Sequence, residues 1–322
     1  ESDTSLRQLK AVLTQIEAGR QFLEDFFSKP PDDEQVYWLT NEPQRPDLKL
    51  YITPLKTNRQ FEELLFSAKY SVVLTSATLS VNNDFSYLME QLGIPADLTD
   101  LLQIPSPFLY DEQVKLLVDT SLPEPNLPDE SEYNLALQQS LFSLLKVTKG
   151  GTMVLFTSRK QMRQMSEYLY EPLQEMGLEL FADGVNGNRI NLVNELKDNP
   201  QAVVFGTNTF WEGIDLPGES LTAVIIVRLP FAPPNLPLVE AKMEELAKEG
   251  KDGFYNYSLP QAILRFRQGY GRLIRTMDDC GVVVVLDKRV LCKKYGKLFI
   301  RSLPSQKYEA GPTSYLMEQI SK

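Results

Sequence analysis

A series of short apolar segments separated by helical patterns most constrains how this chain can fold. From residue 153 onward these segments are apolar throughout instead of alternating, and they are rich in β-branched residues. Strands that are apolar on both sides are typical of a parallel sheet with helices on each face. The sequence therefore predicts an α/β fold with a parallel sheet flanked by helices. The predicted strands of this region lie at 153–156, 178–181, 202–205, 223–227 and 281–286.

Helical patterns fill the intervals between these strands, and further elements precede them. The predicted helices lie at 4–28, 57–69, 133–148, 158–176, 189–197, 238–249, 258–276 and about 288–298. The predicted strands of the first part lie at 36–39, 48–52, 71–75 and 114–118. The 322 residues suffice for roughly two domains, and we expect the boundary near residue 80, with one domain at 1–80 and the other at 81–322.

Composition excludes several classes of chemistry. The chain has no histidine, which removes Ser-His and Cys-His nucleophiles, His-ligated zinc and acid–base catalysis by histidine. Its two cysteines, Cys280 and Cys292, have no second pair beside them, so we expect reduced core thiols in a cytoplasmic protein and no metal or disulfide framework. No apolar run reaches the ~18 residues of a membrane span.

The basic residues are concentrated in one region of an acidic chain. The net charge is −10, yet ten Lys or Arg and three Asp residues lie between Arg265 and Arg301. An acidic body with one basic region is compatible with a local site for a polyanion.

The most informative part of this region is the segment 262–276. A helix through it would place Gln268, Arg272 and Arg275 on one face, and arginine binds phosphate with a planar, permanently charged fork. A solvated basic helix is the alternative, but the two glycines of this segment would give such a helix no benefit. We therefore expect a phosphate clamp whose ligand this segment alone does not identify.

Small hydroxyl residues follow several predicted strands. They occur in 75–79 (Thr-Ser-Ala-Thr-Leu), at Thr157 and Ser158, and in the Gly-rich loop 206–218, and together with the arginine segment we expect them beyond the carboxyl ends of strands, where parallel sheets bind ligands. Hydroxyl residues also cap helices and turns. In the Gly-rich loop, backbone amides could hold phosphate and Glu212 or Asp215 a ribose hydroxyl, although an ordinary turn with a packed Phe210 and Trp211 is an alternative.

A complete nucleotide-hydrolysing site is missing from the sequence. No Gly-x-x-x-x-Gly-Lys-Ser/Thr occurs, and no acidic pair follows an apolar strand in the manner of a magnesium site. We therefore expect the chain alone not to hydrolyse ATP.

The motifs together resemble those of the XPD/DinG branch of superfamily 2 DNA helicases. Segments 75–79, 154–158, 206–218 and 268–275 resemble helicase motifs III, IV, V and VI, and 106–108 (Ser-Pro-Phe) and 228–231 (Arg-Leu-Pro-Phe) are similar to DinG-type proteins. The resemblance covers about residues 36–300. It implies a RecA-like second motor domain, preceded by an N-terminal helix and a tail of the first motor domain, whose strand 71–75 would then lack its sheet partners.

By position, the resemblance also implies roles for individual residues. Arg272 and Arg275 would act as arginine fingers on the ATP γ-phosphate and would therefore be exposed toward the cleft between the motor domains. Gln268 would orient the phosphate or the attacking water. Glu212, Gly213 and Asp215 would bind the cofactor, and Gly213 and Asp215 would also couple the ATP state to DNA. Single-stranded or forked DNA would be contacted by Thr157, Ser158, Thr207 and Asn208. The two motor domains would be linked by Thr75, Ser76 and Thr78. ATP and Mg²⁺ would be held mainly by an N-terminal motor domain of the same polypeptide.

Several departures leave alternatives open. No four-cysteine set is present, so no iron–sulfur cluster can be placed in this chain, and some DinG relatives carry an N-terminal 3'-5' exonuclease domain in place of that cluster. A motor-like module that regulates such a nuclease without unwinding DNA is therefore the main rival to a helicase. An RNA-directed motor is a further rival. A small-molecule α/β enzyme is disfavoured, because no Gly-x-Gly-x-x-Gly follows a strand.

Overall fold

The computed structural model describes residues 2–28, 34–41, 47–125, 130–211 and 220–322, with side chains throughout these ranges except at 2–6, 208 and 209. In chain order the helices and strands are α1 (Ser2–Ser28), β1 (Gln35–Asn41), β2 (Leu48–Pro54), α2 (Asn58–Phe61, continued by a π-helical turn at Glu62–Phe66), α3 (Ser86–Leu92), α4 (Tyr110–Gln113), β3 (Val114–Asp119), α5 (Glu130–Thr148), β4 (Thr152–Leu155), α6 (Arg159–Glu175), β5 (Glu179–Ala182), α7 (Arg189–Asp198), β6 (Ala202–Gly206), α8 (Asn208–Trp211), β7 (Ala223–Ile226), α9 (Pro237–Lys248), α10 (Leu259–Tyr270), β8 (Gly281–Val285), α11 (Arg289–Cys292), α12 (Gly296–Arg301), β9 (Glu309–Gly311) and α13 (Thr313–Ser321).

The chain forms two compact units, of which the first is the smaller. It contains Glu1–Leu74, Leu88–Thr99 and Pro233–Gly253. Strands β1 and β2 pair antiparallel within it, and the rings of Trp38 and Tyr51 stack across the pair with centroids 4.8 Å apart. The two strands predicted here are confirmed.

The strand predicted at 71–75 is wrong. Residues 71–76 have no regular secondary structure, and the side chain of Val73 is 86% exposed. A strand becomes stable only when a neighbour accepts and donates its backbone hydrogen bonds. Within the residues that the structure describes, 71–76 pair with no other strand, so the apolar sequence alone does not make a strand here.

The second unit contains Thr75–Tyr87, Asp100–Ala232 and Phe254–Lys322. Its seven strands form one parallel sheet in the order β5-β6-β4-β7-β8-β3-β9. Helices α5, α6 and α13 cover one face of the sheet, and α7, α8, α10 and α12 cover the other. The predicted parallel sheet flanked by helices is therefore confirmed, with its apolar strands buried on both sides.

Four other expectations differ from the structure. The helix predicted at 258–276 ends at Tyr270, and the helix predicted at 288–298 is divided into α11 and α12. Strand β9 and helix α13 were not predicted. Both cysteines are free but exposed, so the expectation of core thiols is wrong. Among the described helices, none combines the length and the apolar character that crossing a membrane requires.

Candidate functional site

The arginine segment does not form one continuous helix. Helix α10 ends at Tyr270, where Gly271 N donates to Arg267 O at 2.8 Å, and the chain then turns toward β8. Arg272 and Arg275 therefore lie beyond the helix, and the expected shared helical face with Gln268 is wrong. The two glycines of this segment, Gly269 and Gly271, favour this early end of α10, since glycine lowers helix stability.

Arg272 is buried, which contradicts the expectation that both arginines are exposed. Its side chain is 7% exposed, and Nη2 donates to the carbonyl oxygen of Trp211 at 2.7 Å. The Trp211 indole in turn donates to Phe156 O at 3.1 Å. Arg272 thus connects the turn after α10 with α8 and, through Trp211, with the end of β4. A charged group in this position needs such a partner, because burial of an unpaired charge is costly.

Arg275 is exposed, as expected, whereas Gln268 is half-buried. The Gln268 side-chain oxygen is inaccessible to solvent and accepts no hydrogen bond within the described residues. Arg275 lies in the turn before Gly281, the first residue of β8, and therefore near the amino end of that strand.

Thr157 and Thr207 lie at the opposite edge of the sheet. Strands β4 and β6 are parallel neighbours with Leu155 paired to Gly206, so the two threonines follow the carboxyl ends of adjacent strands. Thr207 is 2% exposed, and its hydroxyl has no hydrogen-bond partner in the described part of the chain. Arg275 is thus not at the carboxyl edge with the threonines, as was expected, whereas Arg272 contacts Trp211, which lies just beyond the carboxyl end of β6.

Ser158 caps a helix, as the sequence suggested. Its Oγ accepts from Gln161 N at 3.3 Å at the start of α6. Asn208 begins α8, but its side chain is outside the description. Glu212, Gly213 and Asp215 also lie outside the described residues.

The segment 75–79 is held by an arginine that the sequence did not single out. Arg267 on α10 donates to the carbonyl oxygens of Ala77, at 3.1 Å, and of Ser80. Burial lowers the pKa of Arg267 from its usual value, but an arginine remains charged at neutral pH. Within the segment, Ser76 Oγ and Thr78 Oγ1 are 3.3 Å apart, and Thr75 is exposed.

The aromatic pair of the Gly-rich loop has a packing role. Phe210 and Trp211 are both buried, with Trp211 against Gly269. A Cβ atom on Gly269 would lie 2.9 Å from the Trp211 ring, so only glycine allows this approach. Because both rings are buried, neither presents a face on which a base could stack.

A buried charged cluster at the ends of β7 and β8 was also missed. Arg289 donates to both carboxylate oxygens of Asp287, with Nη2 to Oδ2 at 2.6 Å, and Asp287 Oδ2 accepts from Leu229 N at 2.9 Å. The Arg228 guanidinium lies 4.6 Å from the centre of the Tyr133 ring. Burial raises the pKa of Tyr133 to about 12. The only sequence signal for this cluster was the position of Asp287 directly after the apolar strand predicted at 281–286.

Comparison with known proteins gives one family match. Residues 141–306, just over half of the chain, match the helicase C-terminal domain family. The chain is 36% identical to the 3'-5' exonuclease DinG of Bacillus subtilis (strain 168), over 88% of this chain and 31% of that protein. It is 36% identical to the ATP-dependent DNA helicase YoaA of Escherichia coli (strain K12), over 79% of this chain and 39% of that protein.

Further similarities extend this result. The ATP-dependent helicase DinG of Mycobacterium tuberculosis (strain ATCC 25618 / H37Rv) is 32% identical over 91% of this chain and 44% of its own length. The chain thus spans less than half of each of these relatives. Among solved structures, an XPD helicase superposes with a TM-score of 0.56 at 18% identity, over 77% of this chain and 44% of that chain. This likeness confirms the predicted RecA-like fold.

Proposed function

The chain belongs to the helicase C-terminal domain family as a DinG-like member of superfamily 2, and we propose that it forms the second motor domain of an ATP-dependent DNA helicase. In this proposal residues 1–80 are the tail of the first motor domain and residues 81–322 the second. The observation that carries the proposal is that two sets of polar residues lie at opposite edges of the sheet. An exposed Arg275 lies toward the amino edge of the sheet, and Thr157 and Thr207 lie at the carboxyl edge.

Arg275 is suited to bind the γ-phosphate of ATP. Arg275 is exposed on a turn, and arginine fingers accelerate phosphoryl transfer about 10³- to 10⁵-fold. Arg272 would assist after its bond to the Trp211 carbonyl is exchanged for phosphate. Gln268 would orient the phosphate or the attacking water, since its buried oxygen has an unused acceptor within the described residues.

The carboxyl edge is suited to a different ligand, the backbone of single-stranded or forked DNA. Thr157, Ser158, Thr207 and Asn208 would donate to phosphate oxygens. Such contacts position a strand without reading its sequence. The unpartnered hydroxyl of Thr207 supports this role.

In this proposal, ATP hydrolysis at the amino edge of the sheet must be coupled to DNA binding at the carboxyl edge. The segment containing Thr75, Ser76 and Thr78 would link the two motor domains, and Arg267 ties that segment to α10, the helix that precedes the arginine turn. Gly213 and Asp215 would transmit the ATP state to the DNA contacts, and together with Glu212 they would contact the nucleotide.

The residues of this chain do not fit a magnesium site. Across the described ranges, no group of three or more Cys, Asp or Glu side chains is placed to hold a metal ion, and the sequence lacks the phosphate-binding Gly-Lys-Ser/Thr loop. Mg²⁺ and most of the ATP would therefore be bound by the other motor domain.

A second candidate function is a motor-like module that regulates an attached nuclease and does not unwind DNA. The similarity to a Bacillus subtilis protein named as a 3'-5' exonuclease favours it. Strand-displacement assays of the full-length protein with and without ATP distinguish the two. Unwinding supports the helicase, whereas ATP-dependent nuclease activity without unwinding supports the regulator.

The arginine finger is tested by Arg275→Ala in the full-length protein. We expect DNA-stimulated ATP turnover to fall at least about 10³-fold, with ATP binding nearly intact. Arg59→Ala is the control, because Arg59 is an exposed arginine of the other unit, ion-paired to Glu63 at 3.0 Å. Wild-type turnover by Arg275→Ala would refute the proposed role.

A further inference from the structure

The turn that carries Arg275 is held from one side by a buried carboxylate. Asp279 is 6% exposed, and its Oδ2 accepts from the backbone N–H groups of Arg275 at 2.6 Å and Thr276 at 2.8 Å. Its Oδ1 accepts from the Thr276 hydroxyl at 2.6 Å. Burial works to raise the pKa of Asp279, but the hydrogen bonds from Thr276 and Arg275 outweigh it and bring the pKa below its usual value. Asp279 is thus a carboxylate at neutral pH.

The same turn is held from the other side by a buried amide. Gln113 ends α4, directly before β3, and its Nε2 donates to three backbone carbonyl oxygens, with one of its two N–H groups shared between two of them. The acceptors are Thr276 at 3.2 Å, Met277 at 3.1 Å and Asp279 at 2.8 Å. Strands β3 and β8 are neighbours with Val114 paired to Gly281, so Gln113 and the turn meet at the amino edge of the sheet.

This turn has few apolar residues that could pack against the core, yet two buried side chains hold its backbone. Residues 275–278 are all exposed, and an exposed turn of this kind is ordinarily mobile. Six hydrogen bonds from two buried side chains fix its N–H groups and its carbonyl groups together. The backbone from which Arg275 projects therefore has one defined orientation.

We propose that Asp279 and Gln113 are positioning residues that fix the Arg275 guanidinium for ATP hydrolysis. The inference rests on the proposed role of Arg275. A displacement of about 1 Å in a catalytic group costs on the order of 10²-fold in rate, so loss of either anchor acts on turnover through Arg275.

The test is steady-state, DNA-stimulated ATPase of the full-length protein. We expect Asp279→Ala to lower kcat by about 100-fold and to leave KM for ATP within about threefold of wild type. Asp279→Asn keeps the size and one acceptor oxygen, and we expect it to restore kcat to within about tenfold of wild type. Gln113→Met, which removes the donor at similar length, provides a second and independent loss of the anchor.

A double mutant separates positioning from a general loss of stability. In an Arg275→Ala background, Asp279→Ala should lower kcat no further, because the two residues act as one unit. Asp119→Ala is the matched control, since Asp119 is a buried aspartate that holds a turn through Ser121 N at 2.7 Å and Leu122 N at 3.0 Å but no arginine. It should lower the melting temperature and leave kcat unchanged.

The outcomes are distinct. Additive losses in the double mutant, an equal fall in kcat for Asp119→Ala, or wild-type kcat for both Asp279→Ala and Gln113→Met would overturn the positioning role alone. Wild-type turnover by Arg275→Ala would instead overturn the proposed function on which it rests.

Discussion

The approach of Gly269 to Trp211 offers a sensitive test of how the arginine segment is packed. Gly269 lies in α10, and an added Cβ would be 2.9 Å from Trp211 Cζ3 and 3.1 Å from Leu155 Cδ1. Ordinary contacts of a Cβ begin near 3.4 Å. In Gly269→Ala the indole must therefore retreat by about 0.5 Å in a close-packed interior.

Two opposing terms set the size of this effect. Overpacking of a core costs about 1–3 kcal/mol, whereas replacing glycine by alanine inside a helix gains about 1 kcal/mol. We therefore expect Gly269→Ala to destabilise the second unit by about 1 kcal/mol. Gly269→Val adds two more carbons and loses part of the helix gain, so we expect a loss of about 3 kcal/mol or more.

The assay is urea unfolding followed by tryptophan fluorescence. Trp38 and Trp211 are the only tryptophans, and they lie in different units, so Trp38→Phe leaves a signal from the second unit alone. Gly19→Ala is the control, read from Trp38 with Trp211→Phe in place of Trp38→Phe, because a Cβ on Gly19 of α1 meets no atom within 4 Å and should stabilise that helix. Equal stability of Gly269→Ala and Gly269→Val, or a gain in both, would refute the steric argument.

Two further predictions address the carboxyl edge. Because burial raises the pKa of Tyr133 from 10.0 to about 12, its neutral form stabilises the folded state below about pH 10, and up to about 3 kcal/mol is lost as the pH rises from about 10 through 12. Unfolding free energies measured from pH 9 to 12 should fall less steeply for Tyr133→Phe, and parallel curves would contradict the assignment. Ser158→Asp should preserve the cap of α6, leaving stability within about 0.5 kcal/mol, but place a negative charge beside the proposed DNA path and weaken single-stranded DNA binding by about tenfold. Fluorescence anisotropy with a labelled oligonucleotide measures this, and unchanged affinity would remove Ser158 from the DNA contacts.

The sheet was predictable because its strands carry their own signal. Strands β4, β6, β7 and β8 are buried on both faces and consist almost entirely of apolar residues, so their positions agree with prediction within about one or two residues. The caps at the starts of helices are local as well, which is why Ser158 was identified correctly.

The features that were predicted wrongly or missed depend on partners that are far away in the sequence. Residues 71–75 have the composition of a strand, but their backbone finds no partner in the described part of the chain. Arg272 looked like an exposed cation, yet it is buried on the carbonyl of Trp211, 61 residues away. The contact of Gln113 with Asp279 spans 166 residues. No periodicity or spacing within a short window can indicate such contacts.

The separation of the two edges changes how Arg275 and the hydroxyl residues relate to each other. Arg275 and the hydroxyl residues would have to lie close together to bind one ligand. They do not, because the amino and carboxyl ends of parallel strands lie at opposite edges of the sheet. Arg275 is fixed near the amino end of β8, whereas Thr207 follows the carboxyl end of β6. The connection that the structure provides runs through α10, which contacts Trp211 at Gly269 and holds Ala77 and Ser80 through Arg267. We therefore expect substitutions on α10 to uncouple ATP turnover from DNA stimulation more than they alter either binding step.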